Sequence, residues 1–137
     1  MAIPQSIRDE VISRADHGCE YCRSPLQHLP DPPTIDHIVP DSRGGKDSID
    51  NLALCCFGCN GHKHAVESSF DSESGVVSAL YHPRLDRWEE HFVFDENNFL
   101  IFGLTPVGRA TIARIQLNRA GLVNYRKLLK TAGLFPF

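Results

Sequence analysis

Cys19-Glu20-Tyr21-Cys22 and Cys56-Phe57-Gly58-Cys59, two C-x-x-C turns separated by 33 residues, decide how this chain is organised. Each such turn aims two sulfurs at one edge of a tetrahedron, so a pair of turns reads as a four-thiolate Zn²⁺ site. The alternative is a pair of disulfides, which a reducing cytosol disfavours. Four thiolates fill the coordination sphere of zinc and leave no position for water or substrate, so the expected role is structural. The zinc would tie the first turn to the second and hold everything between them. Cys55 lies outside the spacing and reads as a buried small hydrophobe.

Outward from the two turns the pattern is α+β. Ser6 is a candidate cap for a first helix carrying Ile7, Val11, Ile12 and Ala15 at helical spacing, with Gly18 as its stop. A Pro-rich connection leads to Thr34-Ile35-Asp36-His37-Ile38-Val39, whose alternation and β-branching predict a short strand ended by Pro40. Asp41 to Asp47, with Gly44-Gly45 inside, reads as a loop. Asn51 to Cys55 is a second short apolar run, and a helix is expected from Cys56 to about Glu67. Beyond Gly75, residues 76–81, 91–95 and 99–104 have strand character, the last two joined by a Glu96-Asn97-Asn98 turn. Thr105-Pro106 is a cap followed by a first-turn proline and opens a helix to Leu117. Asn118 is placed to cap a final helix closing near Gly133, with Arg119, Arg126 and Lys130 on one face and Leu122, Tyr125 and Leu129 on another. Trp88, Phe92, Phe94, Phe99 and Phe102 read as core for these helices, with a dimer patch as the alternative.

The polar residues between the turns are the candidate chemistry. Asp36 and His37 are neighbours on a strand, and Asn60 and His64 are four apart on the next helix, with Lys63 beside them. A carboxylate, an amide oxygen and an imidazole presented to one spot suit Mg²⁺ or Mn²⁺, or a transition ion favoured by the nitrogen ligand. The plainer reading has His37 and Asn51 merely satisfying backbone groups around a loop.

The run from Cys19 to Lys63 resembles the HNH (ββα-metal) nuclease family in its zinc-knuckle form. The resemblance rests on the first C-x-x-C, Asp36-His37-Ile38-Val39-Pro40, Gly44-Gly45, Asp50-Asn51-Leu52 and Cys56-x-x-Cys59-Asn60-x-x-Lys63. It implies a ββα-metal core, at about residues 15–67, stapled by the cysteine zinc site. A strand and hairpin extension at about 76–104 and a basic helical tail at 105–133 complete a single domain over 1–137. The segments from Pro83 to Phe92 and from Thr105 to Thr111 resemble those found after the core in small bacterial and cyanobacterial HNH proteins.

By the same resemblance His37 is the general base, and Asp36 and Asn60 hold a catalytic ion. Many relatives have histidine where Asn60 stands, and the harder amide ligand favours Mg²⁺ or Mn²⁺. His64 matches an additional metal-binding histidine in some relatives, and Asn51 would brace the loop and orient His37. Lys63 is a candidate phosphate contact, with a solvated lysine as the equal alternative. The implied function is a metal-dependent endonuclease hydrolysing DNA phosphodiester bonds. The rivals are a non-catalytic zinc-knuckle module that binds nucleic acid and a protein-interaction domain.

Composition sets the remaining bounds. The chain has 137 residues, 42% hydrophobic and 23% charged, with no apolar run approaching the ~20 residues of a membrane span. Its opening, Met1-Ala2-Ile3-Pro4, lacks the basic and apolar regions of a secretion signal, so a cytoplasmic setting is expected. The formal charge of −3 conceals an asymmetry: residues 105–137 carry six Lys/Arg and no Asp/Glu. Arg109, Arg114, Arg119, Arg126 and Lys130 are therefore candidate DNA contacts, against the reading of a solvated basic face. The sequence sets no oligomeric state.

Overall fold

The computed structural model describes residues 3–137; Met1 and Ala2, where the reading of the N-terminus begins, lie outside it. Two compact units are distinguished within the chain. One runs through Glu67 and takes back His82–Leu85; the other holds Ser68–Tyr81 and Asp86–Phe137. The architecture is α+β, its strands arranged as three two-stranded antiparallel sheets. Among the described residues no helix is long and apolar enough to cross a membrane.

The first unit begins with α1 (Gln5–Arg14). Its N-cap is Pro4 rather than Ser6, because the Pro4 carbonyl already receives the N–H groups of Ile7 and Arg8 at 3.1 and 3.0 Å. The helix stops at Arg14, short of Gly18, where Asp16 and His17 turn the chain with φ of 50° and 60°. Arg14 fastens α1 to the second apolar run by donating to the carbonyls of Ile49 and Leu52 at 2.8 and 2.6 Å. Strand β1 (Thr34–His37) pairs with β2 (Leu52–Cys55), Thr34 opposite Cys55 and His37 opposite Leu52. β1 ends two residues earlier than the alternation predicts, since both backbone groups of Val39 are taken by the Asn51 side chain.

All four residues of β2 are buried and, with Val11, Tyr21, Leu26 and Ile38, form the apolar centre of this unit. Fully burying a side chain of this size stabilises by about 1.5–3 kcal/mol. Helix α2 (Phe57–Lys63) comes directly after β2, completing the ββα order. It is a turn shorter than expected, because His64 leaves the helical region with φ 52°. The returning segment 82–85 brings Arg84 to Glu20, whose other carboxylate oxygen accepts from the Leu54 N–H at 2.8 Å.

In the second unit β3 (Ser68–Asp71) pairs with β4 (Val76–Ala79), and β5 (Phe92–Asp95) with β6 (Leu100–Gly103). β3 is an element the sequence pattern does not announce. Its residues Ser68, Ser69 and Phe70 are exposed or half-exposed, so they carry no strong alternation. A one-turn α3 (Trp88–His91) precedes β5. Helix α4 (Pro106–Ile115) starts as expected, the Thr105 hydroxyl accepting from the Gly108 N–H at 3.1 Å. It packs on β3, β4 and β6. Close approach to α3 requires glycine at 108, where a Cβ would lie 2.1 Å from the His91 carbonyl oxygen. α4 ends at Ile115 with Gln116 left-handed, and α5 (Ala120–Thr131) is the last helix. Asn118 does not cap α5. Its amide instead bridges the N–H and C=O of Ile101 at 2.7 and 2.8 Å, and Arg119 is the N-cap. Trp88, Phe92, Ile101, Ile115, Leu117, Leu122 and Leu129 fill this second core, while Phe102 stays exposed.

Candidate active site

The cysteine cluster is built from two turns of the same design. In the first, Cys19 N–H bonds Ser24 O at 2.9 Å, Arg23 N–H bonds Cys19 O at 2.9 Å, and Arg23 adopts φ 66°. The Cys22 N–H then donates to the Cys19 sulfur at 3.4 Å. In the second, Cys56 is the N-cap of α2 and its sulfur accepts from the Cys59 N–H, again at 3.4 Å. All four residues are buried and their sulfurs lie within 4.8 Å of one another, with Cys22 and Cys56 Sγ 4.0 Å apart. A tetrahedron with Zn–S of about 2.3 Å has edges of about 3.8 Å. The sulfurs therefore fit a zinc ion. Burial raises the pKa of Cys19, whereas hydrogen bonds from the neighbouring thiols lower that of Cys56. Cys55 stands apart: burial pushes its thiol up, and its sulfur lies 3.3 Å from the Thr34 hydroxyl.

Between the turns, the end of β1 and the exposed side of α2 border an open groove. Asp36, His37, Asp41, Asn60 and His64 all line it. The sequence-derived residues Asp36, His37, Asn60 and His64 are thus brought together. His64 holds φ 52° and ψ −138°, a backbone conformation close to one reserved for glycine, which costs roughly 1–3 kcal/mol. Its N–H is retained by the Asn60 carbonyl at 3.0 Å, which keeps the two residues adjacent at the groove.

Asp36 is buried, and it has partners within the protein. Its Oδ2 accepts from the Tyr21 hydroxyl at 2.6 Å and lies 3.1 Å from Lys63 Nζ; Oδ1 lies 3.3 Å from the same ammonium. Burial raises the Asp36 pKa, and Lys63 and Tyr21 oppose that rise. Lys63 also donates to the carbonyls of His37 and Ile38 at 3.2 and 3.1 Å. At 1% exposure it cannot serve as the phosphate contact expected from sequence. An ammonium with four acceptors around it is a brace for the end of β1.

The Asn51 amide grips the loop from both sides. Its Oδ1 accepts from the Val39 N–H at 2.9 Å, and its Nδ2 donates to the carbonyls of Val39 and Lys46 at 3.1 and 2.9 Å. The loop comes so close that a Cβ on Gly45 would lie 1.7 Å from the Val39 oxygen. The group on the His37 ring is not Asn51 but Asp47, with Oδ1 2.6 Å from Nε2. In sequence Asp47 is an ordinary loop residue, and a contact between positions ten apart across an irregular loop has no periodic signal.

The basic residues of 105–137 are less available than their count suggests. Arg109 forms a bidentate pair with Asp71 at 3.0 and 3.0 Å and reaches Glu73 at 3.1 Å, holding the Asp71 carboxyl well below the usual carboxylate range. Arg126 is fully buried rather than on a solvent face, because its guanidinium donates to the carbonyls of Phe99 and Leu117 at 2.8 and 2.6 Å. Arg119 donates to Ile115 and Gln116 carbonyls, and Arg114 is half-buried. Lys130 is exposed, its ammonium 5.6 Å from the Phe99 ring centroid.

No curated protein and no solved structure matches the chain. The family described as HNH endonuclease does match, over residues 19–65, which is 47 of the 137 residues. The matched stretch runs from the first cysteine to just past His64 and so takes in the whole cysteine cluster and the groove; over this stretch the chain is similar to the HNH endonuclease family.

Proposed function

We propose that the chain is a metal-dependent endonuclease that hydrolyses DNA phosphodiester bonds, with His37 as its general base. The observation that carries this reading is the gathering of Asp36, His37, Asn60 and His64 on one open groove beside a closed cysteine cluster. Asp36, Asn60 and His64 would hold Mg²⁺ or Mn²⁺, whose charge, when bound, offsets the negative charge developing on the scissile phosphate and the leaving 3′ oxygen. The donor set of carboxylate, amide and imidazole suits such an ion, and Asp36 Oδ1 keeps lone pairs beyond its 3.3 Å contact with Lys63.

His37, a quarter exposed, accepts a proton from water as the water oxygen bonds to phosphorus. The P–O3′ bond breaks and the departing 3′ oxygen takes a proton from solvent, leaving a 5′-phosphate and a 3′-hydroxyl. Cys19, Cys22, Cys56 and Cys59 hold the structural zinc and keep their thiols reduced, as in a cytoplasm. The exposed Lys127 and Lys130 are the tail residues best placed to meet phosphate.

A plasmid-nicking assay across Mg²⁺, Mn²⁺, Ni²⁺ and Zn²⁺ tests the reading. His37→Ala should lower the rate by about 10²- to 10⁴-fold while retaining bound zinc. Undiminished cleavage by that variant removes His37 from the role. One observation favours a second reading, a non-catalytic zinc-knuckle module that binds nucleic acid: the Asp36 carboxylate is held by Lys63 and Tyr21. That reading expects DNA binding with no cleavage under any of the four ions.

A further inference from the structure

We infer that Asp47 is the positioning residue for His37, and that it makes Nδ1 the nitrogen that accepts the proton. This inference rests on the nuclease reading for its catalytic half alone. The geometry is a single short contact, Asp47 Oδ1 to His37 Nε2 at 2.6 Å, between a carboxylate 40% exposed and a ring 26% exposed. An ionised carboxylate only accepts hydrogen bonds, and a neutral imidazole carries one N–H. The hydrogen therefore sits on Nε2, and the lone pair is left on Nδ1. A carboxylate on the far nitrogen also fixes the ring's orientation.

A surface carboxylate beside a histidine is often incidental, but the backbone leading to this one is held. Asn51 Nδ2 takes the carbonyl of Lys46, the residue immediately before Asp47, at 2.9 Å. The same amide clamps Val39, two residues beyond His37, through both backbone groups. Asn51 is thereby a common anchor for the two segments that carry the imidazole and the carboxylate. Gly45 lets those segments close together, its N–H reaching the Pro40 carbonyl at 3.0 Å. The role that the resemblance gives Asn51, orienting His37, is exerted through Asp47 and the backbone rather than on the ring.

The test compares the zinc-loaded full chain with its Asp47→Ala variant. Histidine-selective ¹⁵N NMR, with His37 assigned by the signal lost in His37→Gln, should show the wild-type ring as the Nε2–H tautomer. In Asp47→Ala that ring should become a mixture of tautomers. Plasmid cleavage should lose about 10- to 100-fold in kcat, the usual cost of removing a group that orients a histidine, with KM nearly unchanged. A merely structural loop residue would move neither the tautomer nor kcat alone. An unchanged tautomer overturns the inference, as does an unchanged kcat, including the case where only KM shifts. If the wild-type chain cleaves nothing under any ion, the nuclease reading fails, and the tautomer measurement alone then decides whether Asp47 positions the ring.

Discussion

The cysteine cluster and the histidine groove meet at α2, yet they are made in opposite ways. Each half of the cluster is finished within four residues, its sulfur already accepting an N–H from its own turn at 3.4 Å. The two halves then need only to meet. In the groove, Asp36 and His37 draw their support from distant residues. Asp36 depends on Tyr21 and Lys63, fifteen residues before it and 27 after, and His37 depends on a loop residue ten positions away. The difference teaches where each site is vulnerable. On the proposed reading the cluster would fail by loss of a ligand, and the groove by loss of a distant supporting neighbour.

Three substitutions would break or sharpen that contrast. Cys59→Ser strikes the cluster itself and should have the largest effect, since a structural zinc contributes on the order of 10 kcal/mol to folding. We expect bound zinc to be lost and hydrogen-exchange protection of β1 and β2 to collapse; protected strands without zinc would show that the groove does not need the cluster. Lys63→Met leaves the buried Asp36 carboxylate without its cation and should cost about 3–5 kcal/mol with zinc still bound. Burial already raises the Asp36 pKa, so the folded chain tolerates the protonated form. The deficit in thermal unfolding should therefore shrink as pH falls, and a deficit independent of pH would mean that Asp36 is not the group Lys63 serves. Gly45→Ala forces the loop away from the Val39 oxygen and should cost about 1–3 kcal/mol, with nicking reduced and zinc unchanged. Wild-type melting and wild-type activity in that variant would remove the loop's closeness from the account.

The same contrast governs how much of the molecule is legible in the sequence. The cysteine cluster, β1, β2 and the Thr105 cap are each encoded by residues close in sequence, and periodicity or spacing exposes them. Asp36, His37, Asn60 and His64 are legible as a group through their order along the chain. The partners of these residues are not. Lys63 lies one position before His64 and turns inward, where Asp36 offers a carboxylate and His37 and Ile38 offer carbonyls. Arg126 shares a helical face with Arg119 and Lys130 by count, but it lies in the core, donating to the carbonyls of Phe99 and Leu117. Asn118 has the chemistry of a cap and bridges Ile101 instead. In each case a polar side chain answers a backbone group made available by a distant element, and local pattern carries no record of that demand.

The inward turn of Arg126 and the clasp of Arg109 by Asp71 bear on how this chain would hold a polyanion. Each phosphate neutralised on duplex DNA releases counterions, steepening log K against log salt by about 0.9. The six cations of residues 105–137 suggest a steep dependence, but of these Lys127 and Lys130 are the exposed ones. A duplex laid along α5 would therefore displace few counterions. Its binding would be weaker than the charge count implies, and it would fade more slowly as salt rises.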